Sequence, residues 1–149
     1  MKEIRTEIHI QAPAEQVWSI LTDFKAFAEW NPFLRQAQGE MVVGKPLEIT
    51  VQMDPRTVRS FRPKIVQVTP GRELEWESKV LNGWLLVSRH SCTVEPKGAR
   101  EAVFVNREIF TGPLSALMGA QVQEGARKSF EAMNQALKAR AEGAARAAG

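Results

Sequence analysis

The residues able to do chemistry in this chain form a short list. It holds two histidines and one cysteine, and only His90 stands among other groups that could exchange protons or hydrogen bonds with a guest. It lies in Ser88-Arg89-His90-Ser91-Cys92, and Asn106-Arg107-Glu108 follows on what reads as the next strand. Side chains alternate across a strand, so Ser88, His90 and Cys92 share one face, as do Phe104, Asn106, Glu108 and Phe110. A hairpin turning at Lys97-Gly98 puts Cys92 near Phe104, His90 near Asn106 and Ser88 near Glu108. A two-residue slip brings His90 opposite Glu108 instead. In either register Ser88, His90, Asn106 and Glu108 form a polar patch in an apolar wall, ringed by Trp76, Phe104, Phe110, Trp30 and Phe33, with Phe130 supplied by the last helix.

Polar groups in such a wall are costly unless paired. Apolar lining with a few convergent polar groups is the usual make-up of a small-molecule site. Two uses follow. His90 and Glu108 can orient a hydroxyl or carbonyl of a bound molecule, or His90 can act as general acid or base with its pKa tuned by Glu108. The competing structural reading is that His90, Asn106 and Glu108 hydrogen-bond one another or reach solvent at the end of the sheet.

Other reactive residues point elsewhere. His9 falls on the charged face of the first strand and reads as solvated. Cys92 has an apolar context and reads as a small core residue. No spacing of His and Cys makes a metal-ligand cluster, and neither a phosphate-binding glycine loop nor a nucleophile elbow occurs, so no metal or cofactor is expected. Trp18 reads as core. Arg127, Lys128, Lys138 and Arg140 read as the solvated face of a helix.

The elements that must position His90 are legible from periodicity. Ile4, Thr6, Ile8 and Ile10 alternate with charged residues over 3–11, a half-buried strand. Ala12-Pro13 ends it, and Val17, Trp18 and Leu21 mark a helix to about Asp23, followed by a shorter helical piece from Phe24 to Glu29. Six strands are expected from there to about Thr111, punctuated at Val43-Gly44-Lys45, Asp54-Pro55, Pro70-Gly71, Asn82-Gly83 and Pro96-Lys97-Gly98. Leu47, Ile49, Val51 and Met53 line one face of one strand; Leu74, Trp76 and Val80 line one face of another. Pro63 marks an edge or bulge in the stretch 58–68. A three-residue loop at Leu81-Asn82-Gly83, with Gly83 left-handed, predicts pairing of Val80 with Trp84, Trp76 with Ser88 and Leu74 with His90. Leu114, Leu117, Val122, Ala126, Phe130, Met133 and Leu137 predict one amphipathic helix over about 114–140, with 141–149 a frayed tail.

The result is an α+β chain in the order β-α-α-β6-α: a seven-stranded antiparallel sheet, greasy on one face, covered by one long helix. One domain (1–140) suits the 149 residues. A net charge of +3, with cations scattered among acids, argues against nucleic-acid binding. No apolar run suits stable membrane insertion, the first residues do not read as a signal peptide, and the single cysteine fits a reducing cytoplasm.

Several segments carry a family resemblance: Ala12-Pro13-Ala14-Glu15-Gln16-Val17-Trp18, Trp30-Asn31-Pro32-Phe33, Phe61-Arg62-Pro63, Glu73-Leu74-Glu75-Trp76, Arg107-Glu108-Ile109-Phe110-Thr111-Gly112 and Phe130-Glu131-Ala132-Met133-Asn134. Together the chain resembles the START-like superfamily that includes bacterial polyketide cyclase/dehydrase-type proteins, often called SRPBCC. The resemblance implies a helix-grip fold, its curved sheet wrapped around the C-terminal helix with a ligand cavity between them. It leaves three functions open, because function resides in the site and not the fold. These are a carrier or sensor for a small hydrophobic molecule (lipid, quinone or aromatic polyketide), a cyclase or dehydratase using His90, and an Hsp90-activator-like interaction domain.

Overall fold

The computed structural model describes residues 1–80 and 83–148. Strand β1 (Lys2–Ile10) leads through Pro13 into α1 (Ala14–Thr22), a 3-10 turn (Phe24–Ala26) and the short α2 (Phe27–Trp30). Seven strands follow: β2 (Leu34–Gln38), β3 (Glu48–Asp54), β4 (Thr57–Phe61), β5 (Lys64–Thr69), β6 (Glu73–Val80), β7 (Leu86–Gly98) and β8 (Glu101–Thr111). A second 3-10 turn (Pro113–Leu117) precedes α3 (Ala120–Ala148). All strand pairs are antiparallel, in two sheets ordered β1-β8-β7-β6-β5 and β2-β3-β4.

The expected seven strands are thus eight, because the stretch 58–68 divides at Arg62-Pro63. Proline has no N–H to continue a ladder. Here Leu47, next to Pro46, donates its N–H to the Pro63 carbonyl at 2.8 Å. A single bridge, Pro46 with Lys64, and the bonds from Gly44 N and to Lys45 O at Ile65 join the sheets at this corner. The bent strand β4–β5 therefore belongs to both sheets and curls the whole surface around α3.

Both hairpin registers around His90 differ by two residues from the expected ones. Trp76 pairs with His90, Ser78 with Ser88 and Val80 with Leu86, so Val80 does not face Trp84. Leu81 and Asn82 of the expected three-residue loop lie outside the described residues; Gly83 has the left-handed φ of +75° foreseen for it. On the other side His90 pairs with Glu108, Cys92 with Asn106 and Ser88 with Phe110, the slipped alternative. A slip of two leaves every side chain on its own face, so the inward set is the expected one while its cross-strand partners change.

The core runs from Ile10, Val17, Leu21 and Phe27 through Leu47, Ile65, Leu74 and Phe104 to Met133 and Leu137, each at most 2% exposed. The outer sheet face carries charge: Arg89 meets Glu77 at 2.8 Å, and Arg107 meets Glu3 at 2.7 Å. Helix α3 buries Phe130, Met133, Asn134, Leu137 and Ala141, a stripe at steps of three and four, and packs along β1 and α1. It starts later than its periodicity suggests. Leu114 and Leu117 sit in the separate 3-10 turn, and Leu117 and Val122 are exposed. It also runs past the expected end near 140, with helix to Ala148 and Ala141 fully buried in the segment expected to fray.

Candidate functional site

His90 is 3% exposed, in the middle of β7, with β6 and β8 on either side. Its ring is covered by aromatic side chains from three elements. Trp76, its cross-strand partner, stacks on it at 4.8 Å between centroids with 10° between planes; Phe130 of α3 lies at 4.9 Å and Phe33 at 6.1 Å. Phe33 in turn meets Phe130 edge-on at 5.3 Å. Of the sequence-predicted residues, Trp76, Phe33 and Phe130 are thereby gathered at the imidazole with Asn106 and Glu108. Trp30 packs edge-on against Phe27 instead. Phe104 and Phe110 lie along β8, opposite Val94 and Ser88.

The polar side of the ring is more ordered than its sequence suggests. His90 Nε2 lies 2.6 Å from Asn106 Oδ1; Asn106 Nδ2 donates to Asn134 Oδ1 at 3.2 Å; Asn134 Nδ2 donates to Thr6 Oγ1 at 2.8 Å; and the Thr6 hydroxyl donates to the Asn106 backbone carbonyl at 3.3 Å. All four residues are at most 7% exposed. The chain has only one polarity. The Asn106 carbonyl can only accept, so Thr6 donates to it and accepts from Asn134. That turns the Asn134 carbonyl toward the Asn106 amide, and the Asn106 carbonyl toward His90. The proton on His90 Nε2 is therefore dictated by a backbone carbonyl on β8, and Nδ1 is the ring nitrogen left to titrate.

Nδ1 lies 3.9 Å from Glu108 Oε2, beyond hydrogen-bond length but close enough to favour a charged ring. Burial opposes that charge, yet the Cys92 and Glu108 side chains beside the ring outweigh it, and the His90 pKa is pushed up to about 10. Thr6 and Asn134 also line an open surface groove of about 550 Å³ between β1 and α3, with Arg5, Arg127 and Glu131. The network thus spans from the protein surface to the aromatic interior.

Thr6 and Asn134 escaped the sequence reading, although each carries a signal. Thr6 interrupts the inward row Ile4, Ile8, Ile10 of β1, and Asn134 interrupts the stripe Phe130, Leu137, Ala141 of α3. Single polar residues on otherwise apolar faces of two elements are natural mutual partners. His9 behaves as expected, exposed and 3.3 Å from Glu101. Cys92 is buried.

Beside Trp76 and Cys92 the interior is nearly full. Between Leu21, Phe27, Leu47, Trp76 and Cys92 there is a void of about 10 Å³, the room of about one water molecule. A larger guest can occupy this part of the core only by moving side chains. Among the described residues no group of three or more His, Cys, Asp or Glu is placed to hold a metal ion, and no helix is long and apolar enough to cross a membrane.

Solved structures share this architecture. The Zhui aromatase/cyclase from a Streptomyces species superposes with a TM-score of 0.77 at 17% identity, covering 99% of this chain and 98% of that one. A START superfamily protein from Mycobacterium smegmatis gives 0.71 at 17% identity over 94% and 97%. Norcoclaurine synthase from Thalictrum flavum, in complex with a transition-state analogue, gives 0.63 at 16% over 94% and 93%. At these identities the likeness concerns the fold. No curated protein sequence matches. The family model described as polyketide cyclase / dehydrase and lipid transport, however, matches residues 1–142, so the chain belongs to that family, with the helix-grip fold of START-like proteins.

Proposed function

We propose that this chain, as one domain, binds a small hydrophobic molecule (a lipid, quinone or aromatic polyketide-like metabolite) between the sheet and α3, with His90 and Glu108 orienting a polar group of the guest. The observation that carries this reading is the buried imidazole covered by Trp76, Phe33 and Phe130 with a carboxylate 3.9 Å from its Nδ1. One hydroxyl oxygen placed between the two would lie about 2.8 Å from each, accepting from Nδ1–H and donating to the carboxylate. Flat rings offer apolar area at low entropic cost and can be replaced face for face by an aromatic guest.

A second reading is favoured by the same pair. In a dehydration, Glu108 would take the proton from carbon while His90 Nδ1–H protonates the departing hydroxyl, so that a C–H and a C–O bond break, a C=C bond forms and water leaves. A ring that stays protonated at neutral pH suits the acid half of that exchange. Fold neighbours whose names include an aromatase/cyclase and norcoclaurine synthase keep this reading open.

Native mass spectrometry of protein gently isolated from its own host tests the first reading. A stoichiometric small-molecule adduct supports it, and a clean apo mass counts against tight carriage. With the adduct identified, His90→Ala separates the readings. Binding without turnover in the variant, where wild type turns the molecule over, assigns catalysis; no turnover by wild type assigns carriage or sensing.

A further inference from the structure

Against the paired amides and hydroxyl of the His90 network, the junction between α2 and β2 stands out. Among the described residues, the Trp30 indole Nε1 and the Asn31 amide Nδ2 are the buried side-chain polar atoms with no hydrogen-bond partner. They are on consecutive residues. Asn31 is 2% exposed, and its orientation is fixed. Its Oδ1 accepts from Phe33 N at 3.0 Å and Leu34 N at 2.8 Å, and because a backbone N–H can only donate, the amide nitrogen must be the end left over. An indole N–H likewise donates and cannot accept. Two donor groups on consecutive residues are therefore buried without acceptors, an arrangement that costs folding free energy and calls for a ligand-side or water partner. Phe33, in the same turn, rests on both His90 and Phe130, so the turn enters the core on the side of the imidazole.

We infer that the Trp30-Asn31 turn is a second polar contact for the bound molecule, in which Trp30 Nε1–H and Asn31 Nδ2–H donate to an acceptor oxygen of the guest, such as a ketone, ester or carboxylate oxygen. The inference rests on the proposed ligand-binding reading and sharpens it. The guest is an apolar molecule carrying an acceptor oxygen at one end in addition to the group met by His90 and Glu108.

The test uses two probes of the same shape, 2-acetonaphthone and 2-isopropenylnaphthalene, which differ in having a carbonyl oxygen or a methylene at one position. Titration of the full chain, followed by quenching of tryptophan fluorescence and by calorimetry, should show the ketone binding about tenfold more tightly. Trp30→Phe keeps a ring and removes one donor. Asn31→Asp keeps the oxygen that accepts from Phe33 and Leu34 and removes the other. In each the preference for the ketone should fall to about twofold or less, and agreement of the two variants guards against a folding defect in either. Equal binding of both probes by wild type overturns the inference alone, since the donors are then met by water. So does a tenfold preference that survives both substitutions. Failure of either probe to bind wild type counts against the pocket itself, and the inference falls with it.

Discussion

His90 Nε2 and Asn106 Oδ1 are 2.6 Å apart, and the direction of that hydrogen bond is set by Thr6 of β1, 100 residues before Asn106 in the chain. The consequence is a division of labour within one imidazole. Nε2 belongs to the scaffold, holding β7 to β8 and, through Asn134, to α3. Nδ1, facing Glu108, is the only ring atom free to change protonation. A chain of this kind fixes helix α3 against the sheet at one depth and one rotation, because the amides and the hydroxyl are satisfied together or not at all.

Thr6→Val tests that coupling with almost no change of shape. It leaves Asn134 Nδ2 and the Asn106 carbonyl without their buried partner, and should cost about 1–3 kcal/mol. Urea unfolding followed by tryptophan fluorescence would read the loss as a lower midpoint at unchanged slope. A neutral result would mean that the hydroxyl contributes nothing to holding the network together.

The raised pKa of His90 makes a signed statement about pH. The folded-state value of about 10 lies above the ordinary 6.5. The stabilisation is therefore fully present below about pH 6.5 and is lost as the pH climbs toward 10. Its full size is on the order of 5 kcal/mol. Stability should decline across that window in wild type. In His90→Gln, whose amide nitrogen can still donate to Asn106, the decline should flatten. Glu108→Gln should flatten it in part, by removing one of the two side chains that favour the charged ring. Denaturation curves at pH 6 and pH 9.5 suffice. A wild type as stable at the higher pH as at the lower would show that the buried ring is neutral.

How much of this was open to a reader of the sequence depends on which physical rule governs each feature. Alternation is local, so the inward faces of β1, β6 and β7, and the place of His90 and Glu108 on one wall, follow from residue order alone. Register is not local. Sliding β7 by two against β6 or β8 leaves every face intact, so alternation could not distinguish His90 opposite Glu108 from His90 opposite Asn106; the turns decided it. The split at Arg62-Pro63 was half visible. Pro63 announced a break, but its second half, Pro46 across the sheet, is a tertiary coincidence. The start of α3 was misjudged because Leu114 and Leu117 keep a helical step through a 3-10 turn, and the turn ends in extended backbone at Met118. Thr6 and Asn134 each interrupt the apolar face of their own element, and the partner that explains each one lies on the other.

Gly112 joins β8 to the 3-10 turn with φ at +98°, and a Cβ placed there would lie 2.5 Å from the Leu85 carbonyl oxygen and 2.7 Å from that of Trp84. Both obstacles are backbone, and the Leu85 carbonyl already accepts from Leu114 N at 3.0 Å. Gly112→Ala therefore meets an unfavourable backbone conformation and a clash that no rotamer can relieve. A loss of about 2–4 kcal/mol is expected, read as a fall in thermal midpoint. Gly71→Ala is the control. Its φ is also positive, +78°, but no atom lies within 4 Å of the added carbon, so it should cost only about 1 kcal/mol.

The near absence of empty space beside Trp76 and Cys92 bears on how a guest could arrive. With room for about one water there, a ring-sized molecule reaching His90 must displace side chains, and Phe33 is the one best placed to yield. It is half-buried and lies just before β2, whereas Phe130 is fully buried in the middle of α3 and Trp76 is held in a five-stranded sheet. If Phe33 is the moving part, association of 2-acetonaphthone with wild type should be slower than the roughly 10⁵ M⁻¹s⁻¹ lower end of unhindered encounters. Phe33→Ala should speed association at least tenfold, while lowering stability by about 1–3 kcal/mol through the lost contacts with Phe130 and His90. Stopped-flow fluorescence gives both rate constants from one series of concentrations. If the association rate is unchanged in the variant, the guest does not pass Phe33, and the opening must be sought in the separation of α3 from the sheet, where Asn134→Ala would then be the substitution that accelerates it.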